Sequence, residues 1–247
     1  MAGIDCLRLL QLCDETGYLL TATGRIERVS DPDRSPGPRL SFAGCAKGNV
    51  VRVRHDASDT LALQLLAVAA NEPPWADPER DPGCIAELSA LLDSDCPTKT
   101  VEAGVNHSLP NALPYEHGFP IVRSDSPEAS MLLVRFAKDG MPGALIDAGF
   151  RSIADLWPPW CIARDGEDVA SIAFAARLGI WGAAIGIYTF PGFRGRGYAA
   201  AVTAAWSSHP SLKDRALFYG ARRDNRSSRR VIERLRLPPI GGNIRIE

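Results

Sequence analysis

The sequence has little excess charge, no long apolar run and no paired cysteine motif. Its 247 residues carry 28 lysines and arginines against 29 aspartates and glutamates, a net charge of -1 at pH 7. Proteins dedicated to nucleic acids or anionic membranes usually carry a marked basic excess. No segment approaches the ~20 apolar residues that a membrane-spanning helix needs. We therefore expect neither nucleic acid nor membrane among the partners.

The six cysteines are scattered, with no C-x-x-C pair and no histidine at metal-ligand spacing. A zinc site needs about four converging ligands, so we predict no metal site. Reduced thiols in a cytoplasmic protein are the better interpretation. The first segment, MAGIDCLRLLQLCDE, is unlike a secretory signal because an acidic residue stands early and the apolar stretch is brief.

The first half of the chain contains two clear helix patterns and few other signals. The segment DTLALQLLAVAA follows Ser58, a good N-cap, and is stopped by Pro73. CIAELSALLDSD fits a second helix, and GNVVRVRHD fits a strand. Residues 30–40 are rich in proline and predict a loop. Residues 106–120, with several prolines and two histidines, predict an irregular stretch.

From Met131 onward, strand and helix patterns alternate more clearly. MLLVRFA predicts a strand, and Asp165-Gly166 predicts a hairpin between two apolar runs. AAIGIYTF carries no charge and predicts a central strand. YAAAVTAAWSSH predicts a helix, RALFYGAR a strand, NRSSRRVIERLRL a second amphipathic helix, and GGNIRIE a last strand.

The segment TFPGFRGRGYAAAV, residues 189–202, places arginines and glycines where the central strand gives way to a helix. Backbone N–H groups at a helix start lack intrahelical partners, and the helix dipole adds partial positive charge there. Gly195 and Gly197 keep side chains away from this backbone, while Arg194 and Arg196 add positive charge. The pattern favours a diphosphate site, and a glycine-capped surface turn is the alternative.

These elements resemble the acetyl-CoA-binding core of the GNAT superfamily of N-acetyltransferases. The pyrophosphate loop of that family, [RQ]-x-x-G-x-[GA], is matched by Arg194, Gly197 and Ala199. Its later helix start, Asn-x-x-[SA], is matched by Asn225 and Ser228. The resemblance covers roughly the last half of the chain and is to bacterial members with an extra N-terminal domain.

The resemblance implies an α/β (or α+β) fold with a mixed, mostly antiparallel central sheet flanked by helices. Acetyl-CoA would be the co-substrate, without a metal. A GNAT-like catalytic domain would occupy residues 126–247, and residues 1–125 would form an additional α/β region that serves as acceptor pocket or lid.

The resemblance also assigns residues to the parts of coenzyme A. The backbone of Ile187, Tyr188 and Thr189 would pair with the pantetheine arm as an added strand, which needs an open sheet edge. Asn225 would hydrogen-bond the pantetheine chain, and Ser228 would lie near the sulfur or the phosphates. The pyrophosphate would be held by the loop residues Arg194, Gly195, Arg196, Gly197, Tyr198 and Ala199. An arginine-rich stretch either reaches the phosphates or forms a solvated helix face: Arg222, Arg223, Arg226, Arg229 and Arg230.

The chain departs from the family pattern at positions that concern the chemistry. Leu178 to Gly192 contains no Asp or Glu, where many members carry a general base. Ile232 stands where many members have a tyrosine that protonates the departing thiolate. Arg236 replaces a glycine, so we expect the last helix to end differently.

The missing base matters because an alkyl amine with a pKa of ~10.4 is only about 0.04% neutral at pH 7. The base then comes from the N-terminal half, or water relays the proton, or the acceptor amine has a lower pKa. No residue is assigned as catalytic. Candidates for the base are Glu116, His117 and His107, and candidates for the acid are Tyr188, Tyr198 and Tyr219.

The sequence therefore favours an acetyl-CoA-dependent N-acyltransferase. The acceptor, an amine-bearing small molecule or peptide, would attack the thioester directly while a strand N–H near Tyr188 polarises its carbonyl. The alternative is a non-catalytic acyl-CoA-binding or regulatory module. The acceptor, the acyl length and the choice between monomer and homodimer stay open.

Overall fold

The computed structural model describes residues 4–247, which form seven α-helices and eleven β-strands. The helices are α1 (Cys6–Gly17), α2 (Asp59–Ala70), α3 (Ile85–Asp95), α4 (Pro127–Asp139), α5 (Gly143–Asp147), α6 (Tyr198–Ser207) and α7 (Arg226–Leu235). The strands are β1 (Tyr18–Leu20), β2 (Ile26–Val29), β3 (Leu40–Cys45), β4 (Gly48–Val53), β5 (Val101–Leu109), β6 (Ile121–Arg123), β7 (Trp160–Asp165), β8 (Asp168–Leu178), β9 (Gly182–Thr189), β10 (Ala216–Arg222) and β11 (Pro239–Ile246).

Nine of these strands form one sheet in the order β4-β3-β11-β5-β10-β9-β8-β7-β6, and β1 and β2 form a separate small ladder. In the large sheet only β9 and β10 run parallel. Its other neighbours pair antiparallel. The predicted mixed, mostly antiparallel sheet is confirmed.

Helices cover both faces of the sheet, and strand alternation decides which residue meets which layer. In β10, Leu217 packs in the core beneath α6 and α7, whereas its neighbour Phe218 packs with Leu10 of α1 on the opposite face. In β3, Phe42 lies in the core beneath α2 and α3, and Ala43 faces α1. The α1 face and the α6–α7 face therefore flank the same central strands.

Strands from both sides of residue 125 share this sheet. β5 lies between β10 and β11 and pairs with both. The proposed division at residue 125 therefore does not coincide with a break in the sheet. The separate roles of residues 1–125 and 126–247 stay predictions.

Two local predictions are wrong. Met131 to Ala137 belongs to α4 and not to a strand: Ser126 Oγ accepts from the Ala129 N–H at 3.3 Å, and Pro127 occupies the first turn, where its missing N–H costs nothing. Asn106 to Leu109 ends β5 and is not irregular. Its partners on β10 and β11 lie far away in the chain, so no local pattern marks it.

The other elements that position the site follow the predictions. Ser58 caps α2 by accepting from the Leu61 N–H at 3.2 Å. The hairpin between β7 and β8 closes at the Asp165–Asp168 pair. β9 is sixth in the nine-strand order, and it is therefore central as predicted.

Candidate functional site

The two parallel strands β9 and β10 separate after three residue pairs, which join Gly182–Ala184 with Ala216–Phe218. Beyond these pairs β9 continues to pair with β8 as far as Thr189. β10 likewise continues with β5 as far as Arg222. The two strands thus border a wedge, in which Gly220 of a central strand is exposed. This is the open edge that an added strand requires.

The register of β8 and β9 determines which β9 backbone groups face the wedge. Phe190 N donates to the Ala170 carbonyl at 3.1 Å, two residues from the Tyr188–Ile172 pair of the same register. Hydrogen-bonded and non-hydrogen-bonded pairs alternate in antiparallel ladders. Tyr188 therefore directs its backbone toward β8, whereas Ile187 and Thr189 direct theirs into the wedge. Pantetheine contacts of Ile187, Tyr188 and Thr189 stay predictions, and of the three only Ile187 and Thr189 have backbone groups that face the wedge.

Two glycines in the loop from β9 to α6 have a left-handed backbone, a conformation that side chains disfavour. Gly195 has φ +77° and Gly197, the N-cap of α6, has φ +97°. A Cβ built on Gly195 would meet nothing within 4 Å, so the backbone there is open to a ligand. A Cβ on Gly197 would lie 3.1 Å from Arg234 Nη1 and 3.7 Å from Tyr115 Oη. Gly197 is thus closely approached, whereas Gly195 is open.

The two loop arginines have different surroundings. Arg194 Nε donates to the Thr189 carbonyl at 3.1 Å, which ties the loop to the end of β9. Arg196 Nη1 pairs with Asp165 Oδ2 at 2.8 Å, and its guanidinium lies 5.3 Å from the Tyr198 ring centroid. Over residues 4–247 no carboxylate lies within ion-pair distance of Arg194. Arg194 is therefore the loop cation whose charge is left for an anion.

Arg234 lies beside the glycine loop, a placement that the sequence did not reveal. It belongs to the last turn of α7, and the packing of α7 beside α6 brings its guanidinium to the N-terminus of α6. It is exposed and makes no ion pair in the described part of the chain. A cation at a helix N-terminus is unfavourable by itself because of the helix dipole. An anion bound between the Arg234 guanidinium and the N-terminus of α6 would relieve that repulsion.

Tyr198 is placed differently from what a phosphate ligand needs. Its side chain is 2% exposed and packs on Phe119 with ring centroids 4.0 Å apart. Its ring packs against the loop residues Arg196 and Phe193, and its backbone takes the first position of α6. Ala199 follows in the first turn, and the small residues Ala200 and Ala201 are buried against the sheet.

At the start of α7, Asn225 and Ser228 form a cap and line the cavity beside the wedge. Asn225 Oδ1 accepts from the Ser228 N–H at 3.1 Å. Burial raises the pKa of Tyr219 to about 12, and a hydrogen bond with the Ser228 side chain opposes this. Contacts of Asn225 and Ser228 with the pantetheine chain stay predictions.

Most of the arginine-rich stretch is engaged with acidic side chains. Arg222 pairs with Asp224 at 3.0 Å, Arg223 with Asp81 at 2.7 Å and Arg229 with Glu79 at 2.6 Å. Asp81 and Glu79 precede α3, so these pairs also tie α7 to the N-terminal half. The charges of these three arginines are therefore used in ion pairs, and Arg223 is not on a solvated face because its Nε and Nη2 are buried. Arg226 and Arg230 are exposed, without an ion pair among the residues described.

The candidate acids and bases do not converge. His107 on β5 lies opposite Tyr219 of β10, and burial lowers its pKa. Glu116 and His117 are exposed, and the His117 ring stacks on Phe119 with centroids 6.1 Å apart. Ile232 is 7% exposed, in the core beneath α6 and α7.

A cavity of about 670 Å³ lies between α1 and the sheet. It reaches Ala184 and Ile185 of β9, Gly220 of β10 and Asn225 at the start of α7. The wedge therefore opens into this cavity on the α1 face of the sheet, opposite the face that carries α6.

The cavity wall contains Asp14, a buried carboxyl group on α1. Its Oδ2 accepts from Arg52 Nε at 2.9 Å, and its Oδ1 lies 3.5 Å from Ser41 Oγ. Burial raises the pKa of Asp14 to about 6, although Arg52 and Ser41 oppose the rise. The sequence did not single out Asp14, because CDETG at a helix end is typical of a solvated surface. Its burial arises only when α1 packs on β3 and β4.

No group of three or more His, Cys, Asp or Glu side chains is arranged to hold a metal ion within residues 4–247. All six cysteines are free. Among the helices described, none combines the length and the apolar character needed to cross a membrane.

The order of elements, the wedge and the glycine loop define a GNAT-like α/β fold, which confirms the expected resemblance at the level of fold. Solved structures similar to this chain include GCN5-related N-acetyltransferases from Kribbella flavida and Sphaerobacter thermophilus. The first is 11% identical with a TM-score of 0.44, over 100% of this chain and 96% of that one. The second is 13% identical with a TM-score of 0.43, over 98% and 91%.

A GNAT-family structure from Novosphingobium aromaticivorans is 16% identical with a TM-score of 0.40 over 60% of this chain. The match covers 65% of the length of that protein, and a match to a protein from Staphylococcus epidermidis covers 66% of its length. Both shares are less than two thirds. No protein-family model matches the sequence, and no curated protein matches it significantly. Likeness at this level concerns the fold alone.

Proposed function

We propose that this protein is an acetyl-CoA-dependent N-acyltransferase that passes an acetyl group from the thioester to an amine by direct attack. The wedge between β9 and β10 carries the proposal. It opens toward the carboxyl ends of both strands, where the chain continues into α6 and α7. Such an opening offers unpaired strand backbone and two helix N-termini to one ligand.

Coenzyme A combines the chemical groups that this opening can bind. Its pantetheine arm has amides that can pair with the Ile187 backbone and the Thr189 N–H as an added strand, since the Thr189 carbonyl already accepts from Arg194. Its diphosphate suits the N-terminus of α6, where open backbone at Gly195 and the cations Arg194 and Arg234 meet. Arg196 contributes less to the phosphates because Asp165 already pairs with it.

The chemistry then follows from positioning. A thioester at the end of the added strand lies beside β9 N–H groups that point into the wedge, and one such N–H polarises the carbonyl. Holding the amine against this carbon supplies much of the rate. The acceptor comes from the α1 face, because the wedge opens into the cavity there.

Calorimetry with acetyl-CoA tests the proposal first. Gly195→Ala is the informative variant, because it fills the open space and strains a left-handed residue, and we expect its Kd to rise several-fold. Gly192→Ala is the matched control, since its Cβ also meets nothing within 4 Å but its φ is not left-handed.

Absence of binding heat with the wild-type protein would overturn the assignment. Binding without release of free thiol in the presence of amines would instead support the non-catalytic acyl-CoA-binding module.

A further inference from the structure

The cavity on the α1 face contains buried polar atoms that lack partners in the described chain. Asn243 Oδ1 and Arg245 Nε are both buried without a hydrogen bond, and both residues line this cavity. Leaving a buried polar atom unpaired costs about 1–3 kcal/mol. One atom is an acceptor and the other a donor, so a ligand that satisfies both must carry both kinds of group.

Strand register places these atoms beside the carboxyl group of Asp14. Arg245 lies opposite Ser41, and Asn243 lies opposite Ala43 in the β3–β11 ladder. Ser41 Oγ is in turn 3.5 Å from Asp14 Oδ1. Since directly opposite residues project from the same face of a sheet, the carboxylate, the amide oxygen and the guanidinium share one wall.

Most of the cations that line the cavity are already paired, but Arg245 keeps an unused donor. Five cationic and three acidic side chains line it, and Arg54 and Arg222 pair with Asp56 and Asp224, respectively. Arg245 Nη2 lies 3.6 Å from Glu102, and Arg177 pairs with Asp33 at 2.8 Å. The Nε donor of Arg245 is not used by Glu102 and is left for a ligand.

We propose that this cavity is the acceptor site, that its acceptor is an amine that also carries a carboxylate, and that Asp14 is the general base. The inference rests on the proposed N-acyltransferase function. The acceptor ammonium lies at Asp14 and Asn243 Oδ1, and its carboxylate lies at Arg245.

The reaction balances with these groups alone. The Asp14 carboxylate takes one proton from the ammonium, and the freed nitrogen lone pair forms the C–N bond at the thioester carbon. The C–S bond breaks, and the departing thiolate takes the second proton from nitrogen through water. Asp14 then returns its proton to solvent, leaving an amide and the coenzyme A thiol.

The groups around Asp14 suit this role. Arg52 from β4 and Ser41 from β3 favour its charged form, while burial and the neighbouring Glu15 oppose it. Tyr18 and Cys13 also face it, and burial keeps both protonated by raising their pKa values to about 12. Arg245 adds a cation from β11. With a pKa of about 6, Asp14 is ionised at neutral pH and still basic enough to accept a proton.

Thiol release from acetyl-CoA tests the inference with a defined panel, the standard amino acids and the amines that their decarboxylation produces. We expect at least one amino acid to be acetylated, with kcat/KM about tenfold or more above its decarboxylated partner. Asp14→Asn should lower kcat about 100-fold and remove the acidic limb near pH 6, while acetyl-CoA affinity is unchanged. Glu15→Gln, which removes an exposed acid on the same helix, is the control: it should retain activity and an acidic limb, with the limb moved slightly to lower pH because a negative charge beside Asp14 is lost.

Arg245→Gln separates substrate binding from proton transfer. It should raise the amino acid KM about tenfold, leave kcat within about twofold, and not affect the decarboxylated amine. This variant and the substrate comparison keep the inference testable if Asp14→Asn does not fold.

Retention of kcat and the acidic limb by a folded Asp14→Asn variant would overturn the role of Asp14. Equal use of decarboxylated amines, or acetyl-CoA binding with no turnover of any amino acid, would overturn the acceptor class. Failure of the wild-type protein to bind acetyl-CoA is a different result, which removes the proposed function and this inference with it.

Discussion

Arg234 and Gly197 meet at the start of α6: Nη1 of Arg234 lies 3.1 Å from the position that a Cβ would take on Gly197. One residue ends α7 and the other caps α6. The contact brings a guanidinium to a helix N-terminus, where the dipole makes an anion favourable.

Arg234→Gln should therefore weaken acetyl-CoA binding about three- to tenfold, because a charged donor to the diphosphate is lost. Calorimetry measures the change. Added salt should weaken wild-type binding more than that of the variant. Arg226→Gln removes an exposed arginine from the first turn of the same helix and should have little effect. Equal losses in both variants would mean that Arg234 is not at the phosphates.

Stability should depend on pH through Asp14. Its pKa in the folded protein is about 6, above the ordinary value of 3.8, so between these values the native state holds a proton that the unfolded state has released. Stability from this group is complete below pH ~4 and falls as pH rises through ~6, by about 3 kcal/mol at most.

Urea unfolding of the wild-type protein and Asp14→Asn at pH 4 and pH 7 measures this term. The wild-type protein should lose stability relative to the variant on going from pH 4 to pH 7. Glu15→Gln, compared with the wild-type protein in the same way, should show a much smaller change, because it alters the pKa of Asp14 only through the loss of a neighbouring charge. A difference between wild type and Asp14→Asn that is the same at both pH values would contradict the raised pKa.

The expectation that Arg236 makes α7 end differently from a glycine-capped helix is wrong. Arg236 adopts the left-handed conformation, with φ 50° and ψ 45°, that a glycine would take at this position. The Leu237 N–H donates to the Ile232 carbonyl at 3.1 Å, as at a glycine-capped helix end.

Arg236→Gly should raise the free energy of unfolding by about 0.5–1 kcal/mol, because a side chain is unfavourable in this conformation. Urea denaturation measures it. Arg236→Ala, which keeps a Cβ, should not show the gain. If both variants were equally stable, strain at Arg236 would be too small to matter.

Several elements of the fold follow from interactions between residues that are close in sequence. Three such elements were predictable: the Ser58 cap, the hairpin at Asp165, and the change from apolar strand to glycine loop at residues 189–197. Each depends on the conformational preferences of neighbouring residues, which a sequence pattern shows directly. Gly195 and Gly197 predict an uncrowded backbone in this loop because glycine has no Cβ, whereas their left-handed φ values were given by the structure. α4 begins with a local signal, the Ser126 cap followed by Pro127, but its apolar run MLLVRFA is by itself as typical of a strand as of a helix.

The other features of the candidate site depend on contacts between residues that are distant in the chain. β5 joins β10 and β11 across a long stretch of chain, and the divergence of β9 from β10 creates the opening for a ligand. Arg234 reaches the loop and Asp14 becomes buried only because helices pack on particular strands. The positions of these side chains and the pKa of Asp14 depend on distant neighbours and on exclusion of water, which no local run of residues encodes.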